Sequence, residues 1–271
     1  MTTDIGSPAG PTPLSSEPRV PSLAGRNAVV TGSTSGIGAV TARVLAARGA
    51  RVVVTGRDTT RGAAVVKEIE RDGGRAVFVA ADLASTPDML RDVARTWNES
   101  LDGMLDILIH NAAICPAVDT LHLSDADLEA TLAVNIRAPH VITAALAPAM
   151  MERDQAAIVV IGSWMATIGH PYVGLYSATK AAEAQLARSW AAEFGPRGIR
   201  VNTIAPGATR TPINADADDV IARMTAGTPA GKPGTPQDIA AAVAWVVSGE
   251  ASYVHGAVIP VDGGITATHR G

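Results

Sequence analysis

Tyr176 and Lys180 stand four residues apart in Tyr176-Ser177-Ala178-Thr179-Lys180, and positions four apart share one face of a helix. A free phenol titrates at about pH 10 and is a poor acid–base catalyst at neutrality. An ammonium beside it favours the phenolate and brings proton transfer into the working range. Ser163, thirteen residues upstream, is a hydroxyl that could hydrogen-bond a substrate oxygen as charge develops on it. Taken alone, Tyr-x-x-x-Lys describes many solvated surface pairs. The chain has only three tyrosines, so chance agreement with a larger constellation is less expected.

A second group of residues suits phosphate rather than proton chemistry. An apolar run ends in Thr31-Gly32-Ser33-Thr34-Ser35-Gly36-Ile37-Gly38, and a helical stretch follows. Glycines let a backbone turn tightly and approach a pyrophosphate, while a helix N-terminus offers free N–H groups and a positive dipole end. The spacing is Gly-x-x-x-Gly-x-Gly, a loose match to the Gly-x-Gly-x-x-Gly dinucleotide fingerprint. A glycine-rich loop without a ligand is the plain alternative.

These residues need elements to hold them. Short β-branched runs recur at Asn27–Thr31, Arg51–Thr55, Ala76–Ala80, Asp106–His110, Ala157–Ile161, Arg200–Ile204 and Ala257–Val261. Most are continuously apolar, as strands covered on both faces are. Helical stretches such as Ile37–Arg48 and Thr60–Asp72 lie between them. The alternation predicts an α/β fold: one doubly wound Rossmann domain, a seven-stranded parallel sheet flanked by helices, over residues 23–271. Residues 1–22 carry five prolines with serines between them and read as a disordered tail without an apolar signal region.

Composition bounds the function. A hydrophobic share of 47% and a charged share of 18% are globular values. Net charge is −4 and aromatics are 3%, which argues against nucleic acid as a partner. No run approaches about 18 consecutive apolar residues, so no membrane partner is expected. The single cysteine, Cys115, cannot form an internal disulfide, which favours a cytoplasmic location.

The ensemble resembles the short-chain dehydrogenase/reductase family from about Leu23 to Gly264. Thr31-Gly32-x-x-x-Gly36-Ile37-Gly38 is similar to its cofactor turn, and Asp82-Leu83 to the pair that contacts adenine. Asn135, Ser163, Tyr176 and Lys180 match its catalytic positions. Pro206-Gly207 with Thr209 and Thr211 matches the turn closing over the nicotinamide, and Asp262-Gly263-Gly264 the end of the last strand. The resemblance implies an NAD(P)(H)-dependent oxidoreductase moving hydride between nicotinamide and a ketone or secondary alcohol, with Tyr176 as general acid/base. It implies that Lys180 tunes the tyrosine and holds the ribose, that Ser163 positions the carbonyl, and that the helix around Asn135 holds a water linking Lys180 to solvent. It also implies a homodimer or homotetramer, packed through the Ala-rich helix carrying Tyr176 and the helix around Asn135. No metal ligand set is expected.

Where the family shows Asn-Asn-Ala-Gly, this chain has His110-Asn111-Ala112-Ala113. Asn111 and Ala112 keep cofactor-binding positions, and His110 reads as a structural substitute, offering one donor and one acceptor. Trp164 and Tyr172 fall in the stretch that borders substrate in this family. Cys115 could line the same pocket, a small buried side chain being its plainer role. Cofactor choice turns on Gly56-Arg57 after the second strand. An NAD-specific site places a carboxylate there, whereas Gly56 has no side chain and Arg57 can clasp a phosphate. NADP(H) is therefore expected over NAD(H), with hydroxyls of Ser33, Thr34 or Ser35 assisting and Asp58 capping the next helix. Two alternatives stay open: a beta-ketoacyl-thioester reductase serving a carrier protein, and an NADP-binding sensor without turnover. Loss of Tyr176, Lys180 or Ser163 would favour the sensor, and all three are present.

Overall fold

The computed structural model describes residues 22–268, so the expected tail, Ser22 apart, lies outside the described residues. Seven strands are β1 (Asn27–Val30), β2 (Arg51–Gly56), β3 (Arg75–Ala80), β4 (Ile107–His110), β5 (Ala156–Ile161), β6 (Ile199–Pro206) and β7 (Val258–Val261). All pair in parallel, in the order β3-β2-β1-β4-β5-β6-β7. Val29 of β1 lies opposite Val53 on one side and Leu108 on the other. The chain winds outward from β1 to β3 and then crosses back to place β4 on the other side of β1. The carboxyl ends of β1 and β4 therefore flank the switch point, where such sheets bind ligands.

The helices are α1 (Gly36–Ala47), α2 (Thr59–Arg71), α3 (Pro87–Glu99), α4 (Asp125–Leu132), α5 (Ala138–Met151), α6 (Gly174–Phe194), α7 (Asp218–Ala226) and α8 (Pro236–Val246). Successive strand side chains point to opposite faces, and both faces are dry. Val30, Val52, Val54, Ile107 and Ile109 pack with Ala42 and Leu45 of α1 and Ile239 and Val243 of α8. Val29, Val53, Leu108, Ile158 and Val160 pack with Leu90 and Trp97 of α3, Ile142 and Leu146 of α5, and Trp190 of α6. Two covered faces require apolar residues at consecutive positions, hence the unbroken runs.

Side-chain caps start several helices. Asp58 accepts from Arg61 N at the head of α2, Thr86 from Met89 N, Ser124 from Asp127 N, and Thr235 from Asp238 N. α4 and α5 join through a π-helical segment, Ala133–Arg137, into one helix from Asp125 to Met151. It is apolar and long enough to cross a bilayer, yet half of its most apolar stretch is buried; the helix contacts α3 and α6, and its Ile142 and Leu146 share a core with Leu108 and Ile158 of the sheet.

Candidate active site

The first turn of α1 is left open. Ser35 at its N-cap makes no side-chain cap bond, and the first turn holds no acidic residue. Its N–H groups and positive dipole end therefore face the crevice without a protein anion. Gly32 and Gly36 have φ of 63° and 55°, a region that favours glycine. A Cβ on Gly32 would sit 2.9 Å from Ala112 Cα, and one on Gly36 would meet Thr211 Cβ at 3.8 Å. Only backbone this bare lets a ligand's phosphates come close, so the cradle fits a dinucleotide diphosphate.

The loop after β4 is knitted to this turn. Asn111 Nδ2 donates to Thr31 O (2.9 Å) and Gly32 O (3.1 Å). Thr31 Oγ1 accepts from Asn111 N (2.9 Å) and Ala112 N (3.1 Å) and donates to Ile109 O (3.2 Å). Ala113 causes no strain, because Asp102 is the one non-glycine with positive φ among the described residues.

At the adenine-ribose end, one expectation needs correcting. Ser33 is fully buried, its Oγ donating to Val30 O (2.6 Å) and accepting from Thr55 N (2.9 Å). That hydroxyl fastens the turn to β2 and is not offered to a phosphate. Thr34 is half-buried and Ser35 exposed. Thr34 fills the space beside Gly56, where an added Cβ would lie 2.8 Å from Thr34 Cγ2. Arg57 is exposed and forms no salt bridge among the described residues. Asp58 is held elsewhere, accepting from Arg61 N and pairing with Arg61 Nε at 2.7 Å. After β3, Asp82 is exposed with Oδ1 accepting from Ala84 N (3.0 Å), and Leu83 is half-buried beside it.

Ser163, Lys180 and Asn135 are held by residues that end or follow β4 and β5, and Tyr176 lies one helical turn before Lys180. Ser163 follows β5 and caps the 3-10 turn Trp164–Thr167, its Oγ accepting from Met165 N (3.1 Å). That leaves the hydroxyl proton to give to a substrate oxygen. Tyr176 lies in the first turn of α6, and Lys180 one turn later is 2% exposed. Lys180 Nζ lies 5.8 Å from the Tyr176 ring centre and donates to Ile161 O at 2.8 Å. Asn135 belongs to the π-helical segment, a kind of irregularity frequent at functional sites. Its side chain takes Ile114 N (3.0 Å) and gives to Ile114 O and Thr179 Oγ1 (both 3.0 Å). Thr179 Oγ1 in turn donates to Tyr176 O (2.8 Å), so one amide locks the loop after β4 to the helix bearing Tyr176.

His110 is 2% exposed, with Nε2 2.8 Å from Thr143 Oγ1 of α5. Burial, helped by the Lys180 charge, pushes its pKa down to about 3. It is a neutral structural residue, as expected, but it ties β4 to α5, while Asn111 and Ala112 tie the loop to the residues after β1. Cys115 departs from its plainer reading, being exposed rather than buried. Desolvation still holds its thiol above the ordinary value, against the pull of Lys180. Tyr172 is 55% exposed and Trp164 half-buried at the rim.

Pro206 ends β6, and Gly207 packs where a Cβ would lie 2.6 Å from Asp262 Cα. Thr209 Oγ1 donates to Gly207 O (3.0 Å) and Thr211 Oγ1 to Asn214 Oδ1 (3.1 Å). Both hydroxyls shape this turn, which reaches over Gly36. Arg210, in the same turn, pairs with Asp218 at the head of α7 at 2.6 Å. Among the described residues no group of three or more metal-ligating side chains occurs.

One residue of the site escaped sequence reasoning. Glu183, 1% exposed, places Oε2 2.7 Å from Lys180 Nζ. The available signal was a lone carboxylate three residues past Lys180 in Ala181-Ala182-Glu183-Ala184.

Comparison with known proteins gives the family and agrees with the fold. Residues 32–266 match the family described as Enoyl-(Acyl carrier protein) reductase. A 3-oxoacyl-[acyl-carrier-protein] reductase of Salmonella typhimurium is 33% identical over 245 residues, 90% of this chain and 98% of that one. A short chain dehydrogenase of Burkholderia cenocepacia, solved in complex with NADP, superposes with a TM-score of 0.83 at 37% identity, covering 90% of this chain and 99% of its own. A 3-oxoacyl (acyl-carrier-protein) reductase of Agrobacterium tumefaciens, solved with NADP bound, gives 0.84 at 32% identity, with coverages of 89% and 95%. With its switch-point cradle and its Ser-Tyr-Lys edge, the chain belongs to the short-chain dehydrogenase/reductase family of nicotinamide-dependent oxidoreductases.

Proposed function

We propose that this chain is an NADP(H)-preferring carbonyl reductase or alcohol dehydrogenase acting on a ketone and its secondary alcohol. The observation that carries the reading is Lys180 Nζ 5.8 Å from the Tyr176 ring, with Ser163 directly after β5, on a sheet whose β1 leads into an anion-ready glycine turn. The nicotinamide, when bound, supplies or accepts the hydride. Ser163 Oγ–H holds the substrate oxygen, and Tyr176 gives that oxygen its proton in reduction or takes it in oxidation. Lys180 favours the phenolate and holds the nicotinamide ribose. Asn135 fixes the loop and helix that aim Tyr176, and its π-helical segment seats the water connecting Lys180 to solvent. Asp82 and Leu83 flank the adenine, Pro206, Gly207, Thr209 and Thr211 close over the nicotinamide, and Trp164, Tyr172 and Cys115 border the substrate. Arg57, without an acidic partner among the described residues and beside side-chain-free Gly56, supports a 2′-phosphate ligand. The NADP-bound relatives support it too.

The test follows NADPH absorbance with a panel of ketones. Tyr176→Phe is expected to keep fold and cofactor affinity while kcat falls at least about a hundredfold, the scale of a lost general acid. Retention of more than about a tenth of wild-type kcat, with chemistry rate-limiting, removes Tyr176 as proton donor. A second reading, reduction of 3-oxoacyl thioesters, rests on similarity over nearly the full length of a reductase so named. It prevails if an acetoacetyl thioester gives a higher kcat/KM than every simple ketone.

We further propose a two-fold dimer through α5 and α6. Ala184 and Ala187 of α6 are buried within the subunit, whereas Ala178, Ala181, Ala182 and Ala192 face outward. Small outward side chains let a second helix approach closely.

A further inference from the structure

Lys180 and Glu183 form an ion pair from which water is excluded, with side chains 2% and 1% exposed. Neither Glu183 oxygen makes a well-angled hydrogen bond among the described residues. The 2.7 Å approach to Lys180 Nζ is thus held by charge rather than by a hydrogen-bond network. A carboxylate buried this deeply is retained only where a charge compensates it. Among the described residues, the groups around the pair supply no second cation. His110 on β4 is neutral, its Nε2 engaged by Thr143. Cys115 after β4 and Tyr176 on α6 carry no positive charge, and His140 on α5 is exposed, stacked beyond Trp190. Lys180 is the one cation in contact with Glu183 among the described residues.

We propose that Glu183 is a positioning residue, the dedicated counter-ion that keeps the Lys180 ammonium charged and aimed at Tyr176 inside a dry site. This rests on the pairing of Lys180 with Tyr176 proposed above. The physical need is plain. Burial strongly disfavours an ammonium, and buried lysines can lose their charge near neutrality. Here desolvation pulls Lys180 down, and Glu183, foremost among its neighbours and joined by Tyr176 and Cys115, raises it again, leaving the amine above its ordinary value, while burial raises Glu183 against the pull of Lys180. A lysine that released its proton would no longer favour the Tyr176 phenolate. Removing the neighbouring negative charge lets the Lys180 proton leave more easily.

The experiment has two readouts. The chain holds three lysines, Lys67, Lys180 and Lys232, so lysine labelled with 13C at Cε gives three resonances, that of Lys180 assigned through Lys180→Met. In the wild type, Lys180 should titrate at or above the ordinary lysine value of about 10.4. Glu183→Gln should lower that midpoint by at least about one unit, and Glu183→Asp should return it toward wild type. In ketone reduction with NADPH, the basic limb of kcat/KM should move to lower pH by a similar amount in Glu183→Gln. A merely structural role would lower Tm and leave the limb in place. Equal Lys180 midpoints in wild type and Glu183→Gln overturn the proposal. Should Glu183→Gln fail to fold, a wild-type Lys180 midpoint below about 9 overturns it, and one at or above the ordinary value with Glu183→Asp alike supports it. The resonance titration needs no turnover, so an enzyme that reduces no ketone would refute the proposed activity and leave this test standing.

Discussion

Replacing Arg57 with alanine removes the one exposed guanidinium at the end of β2 and leaves the glycine turn untouched. The structure sets the expected size. Arg57 forms no salt bridge among the described residues, and Asp58 is drawn away by Arg61, so no carboxylate among those residues competes for it. A guanidinium clasping a 2′-phosphate makes charge-assisted hydrogen bonds worth about 1.5–3 kcal/mol. The site is open to solvent and salt, which puts the contribution at the lower end, about 1.5 kcal/mol, or roughly tenfold in kcat/KM. NADH has no 2′-phosphate, so its kcat/KM should stay level and the preference for NADPH should fall about tenfold. The assay is initial rate against cofactor concentration, at low and at high salt, for wild type and Arg57→Ala. The NADPH advantage should shrink with salt in the wild type and not in the mutant. A wild type that uses NADH as well as NADPH would refute the preference. An unchanged ratio in the mutant would remove Arg57 as its source and leave Thr34 and Ser35 to supply it. Gly56→Asp alone is not expected to produce an efficient NADH enzyme, because its Cβ would arrive 2.8 Å from Thr34 Cγ2.

His110 should make stability fall in acid. Its folded pKa of about 3 lies below the ordinary 6.5, so its contribution is complete above about pH 6.5 and is lost as pH falls toward 3. Urea unfolding at stepped pH should show wild type losing stability relative to His110→Asn across that window, and parallel curves would contradict it. For assembly, light scattering at micromolar concentration should report at least a dimer. Ala182→Arg on the outward face of α6 should shift it toward monomer without unfolding it, and a monomeric wild type would overturn the proposed packing.

The fold was legible because its constraint is local. Two covered sheet faces force apolar residues at consecutive positions, so Val29 to Val30 and Val52 to Val54 announce a parallel sheet without any knowledge of partners. Tyr176, Lys180, Asn111 and the open head of α1 were legible because their chemistry depends on spacing along one helix or one turn. Ser33 was misread for the opposite reason. Nothing in a Gly-x-x-x-Gly turn says which hydroxyl points outward, and its bonds to Val30 O and Thr55 N exist only once β2 lies alongside. Cys115 was misread likewise, since a lone cysteine in a loop carries no sign of which way the loop faces.

Glu183 shows how far pattern reading extends. In sequence it is an acidic residue in a helix, where carboxylates usually face water. The three-residue offset that puts it near Lys180 also puts it on the side of α6 that buries Thr179, Ala184, Ala187 and Trp190. A charge on that side must find compensation, and the helix itself supplies it one turn back. The inference needed both facts at once: the functional lysine, which motif reading supplies, and the buried face, which only the packing of α6 against the sheet decides. Where a functional charge lies on the core-facing side of its helix, its neighbours at three and four residues are therefore the first place to look for groups that tune it.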